Sequence, residues 1–185
     1  MTNSEELNKI ARSLRNQGRD VNSDWLQHIR LGFNYRMSDI NAAIGIAQMK
    51  RIDEILLKRK HVKKMYDRML EEPFKSGVLI RQKDLKESVV SPFVYVLRLS
   101  DRFNKAERDK ILYKLKSSGI QCSNYFTPIH LQHHYQDLGW KYGDMPITER
   151  ISERTIALPF YNNLKNEQVE YICKTLIKAI KRIKE

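Results

Sequence analysis

A planar guanidinium two residues from a side-chain amide is the first arrangement in this chain that could do chemistry. In Gly32-Phe33-Asn34-Tyr35-Arg36-Met37-Ser38-Asp39, Arg36 offers paired donors and Asn34 one more. Ser38 suits an N-cap, so a helix starting at Asp39 would add free N–H groups and the positive end of its dipole. Together these groups fit a phosphate. The plainer alternative is that Asn34 closes a turn and Arg36 pairs with a surface carboxylate.

A second constellation runs Tyr125-Phe126-Thr127-Pro128-Ile129-His130-Leu131-Gln132-His133-His134-Tyr135. His130 and His134 have the i, i+4 spacing of a zinc-binding helix. Pro128, the missing intervening glutamate and the lack of a third ligand at a customary spacing argue against a metal. Aromatic rings beside a proline-fixed histidine suit a pocket wall that stacks on a base or sugar and hydrogen-bonds a hydroxyl or phosphate. A third run, Thr155-Ile156-Ala157-Leu158-Pro159-Phe160-Tyr161, reads as core packing ended by Pro159. No glycine-rich phosphate loop, GxSxG elbow or Ser/His/Asp arrangement occurs.

The elements that must hold these residues follow from periodicity. Leu7, Ile10, Ala11 and Leu14 predict a helix over 4–17 stopped by Gly18, and 19–33 reads as a structured loop. A helix is expected from Asp39 to about Leu57, continuing over 58–71. Between Ile40 and Met49 only Asn41 and Gln48 are polar, so this helix is apolar all round and should be covered on more than one side. A chain of 185 residues has few elements to do that, so missing polypeptide or a partner subunit is expected to pack there.

Pro73 to Gly77 marks a boundary. Beyond it, 78–80 and 93–97 are β-rich, 104–118 reads as a helix, and 120–122 as a short strand. The loop 123–147 holds most of the histidines, 148–156 reads as helix, and a final amphipathic helix starts at Asn166. The expected fold class is α/β, with a small α+β domain over 73–185 whose short sheet is packed by helices, preceded by a helical segment over 1–72.

Composition narrows the classes. Apolar residues make up 41% and charged residues 30%, as in globular chains. No apolar run reaches the roughly 20 residues of a membrane span, and the N-terminus has no secretory pattern, so no membrane partner is expected. Cys122 and Cys173 stand far apart without metal spacing and read as reduced thiols of a cytoplasmic protein. The net charge of +12 raises nucleic acid, but much of it lies in 58–64 and 178–184, where basic residues alternate with apolar ones as on a wet helix face. No nucleic acid is expected as a partner.

Taken in order, Arg15-Asn16-Gln17-Gly18-Arg19, Leu31 to Ile40, Ala42-Ala43-Ile44-Gly45 with Gln48, Tyr125-Phe126, Pro128 to Gln132 and Ala157 to Tyr161 resemble the DegT/DnrJ/StrS family of sugar aminotransferases. The likeness covers essentially the whole chain. It implies a fold type I enzyme that uses pyridoxal phosphate to pass an amino group, typically from glutamate, to a ketone on a nucleotide-linked sugar, for polysaccharide or amino-sugar biosynthesis. In that family a lysine holds the cofactor as a Schiff base. No lysine here has the expected Ser- and Gly-flanked context. The resemblance therefore implies the C-terminal part of such an enzyme: residues 1–72 as the end of the large domain, then the small domain, with no catalytic residue of its own. It further implies a homodimer or a missing N-terminal half. Asn34 and Arg36 would bind cofactor phosphate or substrate diphosphate across the interface. Tyr35, His130 and Tyr135 would meet the nucleotide sugar. His133-His134 departs from the family pattern, which puts the pocket wall in question. Two alternatives remain: a basic binding or regulatory module that keeps only the small-domain fold, and an inactive gene fragment.

Overall fold

The structure is a computed structural model that describes residues 2–20, 27–83 and 87–184. Its chain divides into two compact units, Met1–Ile52 and Asp53–Glu185.

The first unit holds two helices, α1 (Glu5–Arg15) and α2 (Asp39–Met49). Ser4 caps α1 by accepting from Leu7 N, and Ser38 caps α2 by accepting from Asn41 N. The single helix expected over 39–57 is two. Arg51 N turns to Gln48 O and breaks the ladder before α3 (Ile52–Met69) begins. No residue of α2 is buried, and Ile40 keeps 76% of its surface exposed. The apolar circumference read from sequence is thus left uncovered by the described residues. Residues 21–26 of the expected loop lie outside them.

The second unit begins with α3 and continues through α4 (Glu71–Lys75), β1 (Leu79–Arg81), β2 (Tyr95–Leu99) and α5 (Lys105–Ser117). A 3-10 turn (Ile129–Leu131), α6 (His133–Gln136), α7 (Pro146–Ser152), β3 (Thr155–Leu158) and α8 (Asn166–Lys184) complete it. The three strands form an antiparallel sheet in the order β1-β2-β3, with Leu79 opposite Leu99 and Leu97 opposite Ile156. Tyr95, Leu97 and Leu99 point to the core from alternate positions of β2, while β3 is buried throughout. One core joins the sheet to Val62 and Tyr66 of α3 and Leu70 just after it, Ile111 and Leu115 of α5, and Val169, Ile172, Cys173 and Leu176 of α8. The spacing on α8 is that of a helix with one apolar face. α3 supplies part of that core, and the second compact unit starts at Asp53.

Two further expectations are corrected. The helix read over 148–156 stops at Ser152, and Thr155-Ile156 enter the sheet, where their β-branched side chains pack and their backbones pair with β2. The strand read at 120–122 makes no ladder; next to it, Ser123 forms a lone bridge to Ala157.

The two buried tyrosines of this core have partners, whereas the buried Ser100 Oγ has none. Tyr66 and Tyr95 stack at 4.5 Å; the first hydroxyl donates to Pro159 O and the second to Asp67 Oδ1, each at 2.8 Å. Burial raises both phenols above their ordinary value, and the Asp67 charge adds to this at Tyr95. Burial also pushes the Cys173 thiol up to about 12 and raises Cys122, so neither is a reactive thiolate. No helix among the described residues is long and apolar enough to cross a membrane.

Asn104 and Glu107 form a reciprocal capping box at the start of α5, at 3.0 and 2.8 Å. Asn104→Ala should lower stability by about 1 kcal/mol, and Asn104→Gly by only a few tenths, as read from urea unfolding midpoints.

Candidate functional site

The residues read as chemically competent fall into two groups, one in each unit. In the first, Asn34 and Arg36 ride on an extended segment zipped onto the end of α1. Leu14 O accepts from Phe33 N at 2.7 Å, Gln17 N donates to Phe33 O at 2.9 Å, and Arg15 O accepts from Tyr35 N at 2.9 Å. Gln17 turns left-handed at φ 61°, which lets Gly18 N reach back to Ser13 O at 2.8 Å. The carbonyls that a helix end leaves orphaned are thereby used to hold the segment.

Glycine is required at the crossing. A Cβ on Gly32 would stand 2.2 Å from Gly18 N, and one on Gly18 would stand 1.7 Å from Arg30 O. Two backbones meet there with no room for a side chain.

On this segment Arg36 Nε donates to Asn34 Oδ1 at 3.1 Å. That bond fixes both side chains and leaves the Asn34 amide nitrogen and the Arg36 Nη groups to donate outward. Phe33 and Tyr35 stack with each other at 5.1 Å, on the alternate side of the extended chain. The structure therefore brings Asn34 and Arg36 together and sets Tyr35 apart from them.

The second group lines a cleft of about 680 Å³, whose wall includes Tyr125, Phe126, His130, Tyr135, Trp140 and Thr155. His130 and Tyr135 both line it; His133 and His134 are not among its lining. Pro128 starts the turn that carries His130, and Tyr125 N donates to Thr155 Oγ1 at 3.3 Å, which ties this wall to β3.

His130 is buried, and its Nε2 bonds Glu149 Oε1 at 2.8 Å. Glu149 is the residue that sequence reasoning missed. Its carboxylate is 3% exposed and also accepts from Gly143 N at 2.9 and 3.0 Å and from Met145 N at 3.2 Å. Burial by itself would push the carboxyl pKa up, but the bonds from His130, Gly143 and Met145 outweigh burial and hold it below the ordinary carboxylate value. An acid in the first turn of a helix that starts at Pro146, just after a Gly-Asp loop, was the available signal.

The helix bearing Glu149 is itself clamped. Arg108, buried, donates from Nη1 to Ser152 O at 3.0 Å and Thr155 O at 3.2 Å. Arg154 Nε donates to Phe103 O at 2.7 Å, and Ser152 Oγ to Glu149 O at 2.8 Å. These bonds fix α7 between α5 and β3, and with it the floor of the cleft.

A profile of the DegT/DnrJ/EryC1/StrS aminotransferase family matches residues 1–177. The GDP-perosamine synthase of Caulobacter vibrioides is 31% identical over 95% of this chain and 46% of its own length. A UDP-4-amino-4,6-dideoxy-N-acetyl-beta-L-altrosamine transaminase of Campylobacter jejuni is 25% identical over 100% of this chain and 48% of its own. Among solved structures, Spr1654 from Streptococcus pneumoniae in its PMP form superposes with a TM-score of 0.86 at 25% identity, over 98% of this chain and 45% of that one. The fold is that of the fold type I sugar aminotransferases, of which this chain spans under half the length.

Gly32→Ala should detach the 33–36 segment from α1, seen as faster amide exchange at Gln17, Phe33 and Tyr35 with α5 and α8 unaffected. A depressed carboxyl stabilises the fold above its unfolded value and ceases to do so as pH falls through its folded value. Stability should therefore fall from about pH 4.5 downward. Glu149→Gln should lower the unfolding temperature at pH 7 and flatten this acid limb; an unchanged limb would show that Glu149 is not its source.

Proposed function

The chain belongs to the DegT/DnrJ/EryC1/StrS aminotransferase family, and from that premise we propose that it is the C-terminal portion of a pyridoxal phosphate-dependent aminotransferase acting on nucleotide-linked keto sugars. The cofactor, when bound, supplies the electron sink that lets an amino group and a proton move between donor and ketone. In this reading the chain's residues bind and orient, while the Schiff-base lysine stands on polypeptide outside residues 1–185. In support, the described lysines up to Lys181 are exposed at the surface apart from the half-buried Lys63, which Asp67 holds at 2.9 Å.

The observation that carries the proposal is the Asn34–Arg36 pair, locked by its mutual bond and by the Gly18–Gly32 crossing, with donors directed outward. Such a pair fits a phosphate group: a bidentate guanidinium and an amide, both held in place beforehand. Asn34 is assigned to the cofactor phosphate and Arg36 to a phosphate of cofactor or substrate, reaching a partner subunit's site. The uncovered apolar face of α2 supports a homodimer, or an N-terminal half, as the surface that covers it. His130 and Tyr135 are assigned to the wall that meets the nucleotide sugar, with His130 oriented by Glu149. Tyr35, on the other side of its segment, is assigned to that partner contact rather than to phosphate. A biosynthetic enzyme of this kind works in the cytoplasm.

The test joins this chain to the reading frame upstream of Met1, or supplies a separately encoded N-terminal half, and titrates pyridoxal phosphate while following the Schiff-base absorbance. The joined protein should load cofactor and the isolated chain should show no such band. Asn34→Ala should weaken loading by about tenfold to a hundredfold, the worth of a hydrogen bond to a charged group. Absence of any band in the joined protein sinks the aminotransferase reading and leaves the binding-module alternative.

A further inference from the structure

The face of α1 beside the phosphate pair has a second feature that the proposed reaction does not use. A cavity of about 310 Å³ opens there, and its described lining carries five cations, Lys9, Arg12, Arg15, Arg19 and Arg36, against one acid, Asp20. Lys9, Arg12, Ser13 and Asn16 follow the i, i+3, i+4, i+7 rhythm of one helix face, so α1 itself gathers most of the wall.

Ser13 is the independent observation. It lines this cavity, it is 3% exposed, and its Oγ has no hydrogen-bond partner. An unpartnered buried hydroxyl is costly, and natural interiors keep few of them without a use. Here it stands among guanidinium groups, where the missing partner is an acceptor of negative charge.

A helix C-terminus is ordinarily a poor place for an anion, because its carbonyls are the negative end of the dipole. At α1 those carbonyls are already taken: Arg12 O by Asn16 N, Ser13 O by Gly18 N, Leu14 O by Phe33 N and Arg15 O by Tyr35 N, at 3.2, 2.8, 2.7 and 2.9 Å. The bonds that zip the 33–35 segment to the helix also quench its negative pole. For Lys9 and Arg12 the competing partners are weak. Lys9 pairs with Glu5 at 2.9 Å, but both are well exposed, and Arg12 spends only Nε, on Asn8 Oδ1 at 3.0 Å.

From these observations we propose that this pocket is an oxyanion site that takes a phosphoryl or diphosphoryl group, with Ser13 Oγ donating and Arg12, Arg15 and Arg36 supplying charge. Arg36 is shared with the phosphate contact above, so the identity of the natural anion rests on the aminotransferase reading. The pocket itself does not.

The test titrates the 185-residue chain with inorganic phosphate, uridine diphosphate and pyridoxal phosphate, using calorimetry and thermal unfolding, with uridine and pyridoxal as phosphate-free partners. Saturable binding is expected for the phosphate-bearing compounds alone. Arg15→Gln should weaken it by at least about tenfold. Ser13→Ala should weaken it by about threefold and raise the melting temperature of the phosphate-free chain, since it removes an unpaired polar group. A paired Lys178→Gln and Lys181→Gln variant should bind as the parent does. Tighter binding of uridine diphosphate than of phosphate assigns the site to a substrate, the reverse for pyridoxal phosphate assigns it to the cofactor, and equal binding assigns it to free phosphate. The idea is overturned if no binding saturates, if the tail variant weakens binding as much as Arg15→Gln does, or if Ser13→Ala leaves binding unchanged. Phosphate binding that survives in a joined protein unable to load cofactor would remove the aminotransferase reading and keep the pocket.

Discussion

A non-helical stretch can hold a side chain in place only when its own backbone N–H and C=O groups have partners, and both candidate sites here are built around that constraint. In the first unit the partners are the last carbonyls of α1, which take N–H groups from the 33–35 segment that carries Asn34 and Arg36. In the second they are the oxygens of one buried carboxylate, Glu149, which gathers the N–H groups of Gly143 and Met145 and the ring of His130. In each case a group that would be costly to leave unpaired has been put to work ordering a loop.

The same constraint explains why so few residues do so much positioning. Replacing the glycine at position 32 or 18 puts a carbon inside another residue's backbone, so the close approach and the hydrogen bonds that depend on it stand or fall together. At the cleft, Arg108 and Arg154 fix the C-terminal end of α7 and its junction with β3 by binding main-chain carbonyls. Buried guanidinium groups suit this because several donors can each find a carbonyl.

The exposure of α2 makes a complementary point. Ile40, Ile44, Ile46 and Met49 are all exposed on a helix whose composition calls for burial. Together with a length under half that of its relatives, this places the unmet packing demand on the first unit, whereas the second unit closes a core of its own. That difference accounts for where the compact units divide. The α3 face of Val62 and Tyr66, continued by Leu70, belongs to the closed core, and a contiguous apolar stripe cannot be split between two units without exposing half of it.

By itself the sequence determined the helices with strong caps or one apolar face, the existence of a short sheet, the closeness of Asn34 and Arg36, and the family. Those signals are local: an N-cap serine, a 3.6-residue stripe and an ordered set of short motifs are complete within a few neighbours. What only the tertiary structure decided was long-range. It took Thr155 and Ile156 into the sheet, since pairing with β2 outweighed a helical reading of the residues before them. It put Tyr35 on the side away from Asn34 and Arg36, which depended on the segment being extended. It also showed Glu149, nineteen positions from His130, as the anchor of the cleft, and Ser13 as a buried hydroxyl among cations. Neither residue type nor spacing marks such roles, because what makes a carboxylate or a hydroxyl important here is the desolvation imposed by groups that fold against it from elsewhere in the chain.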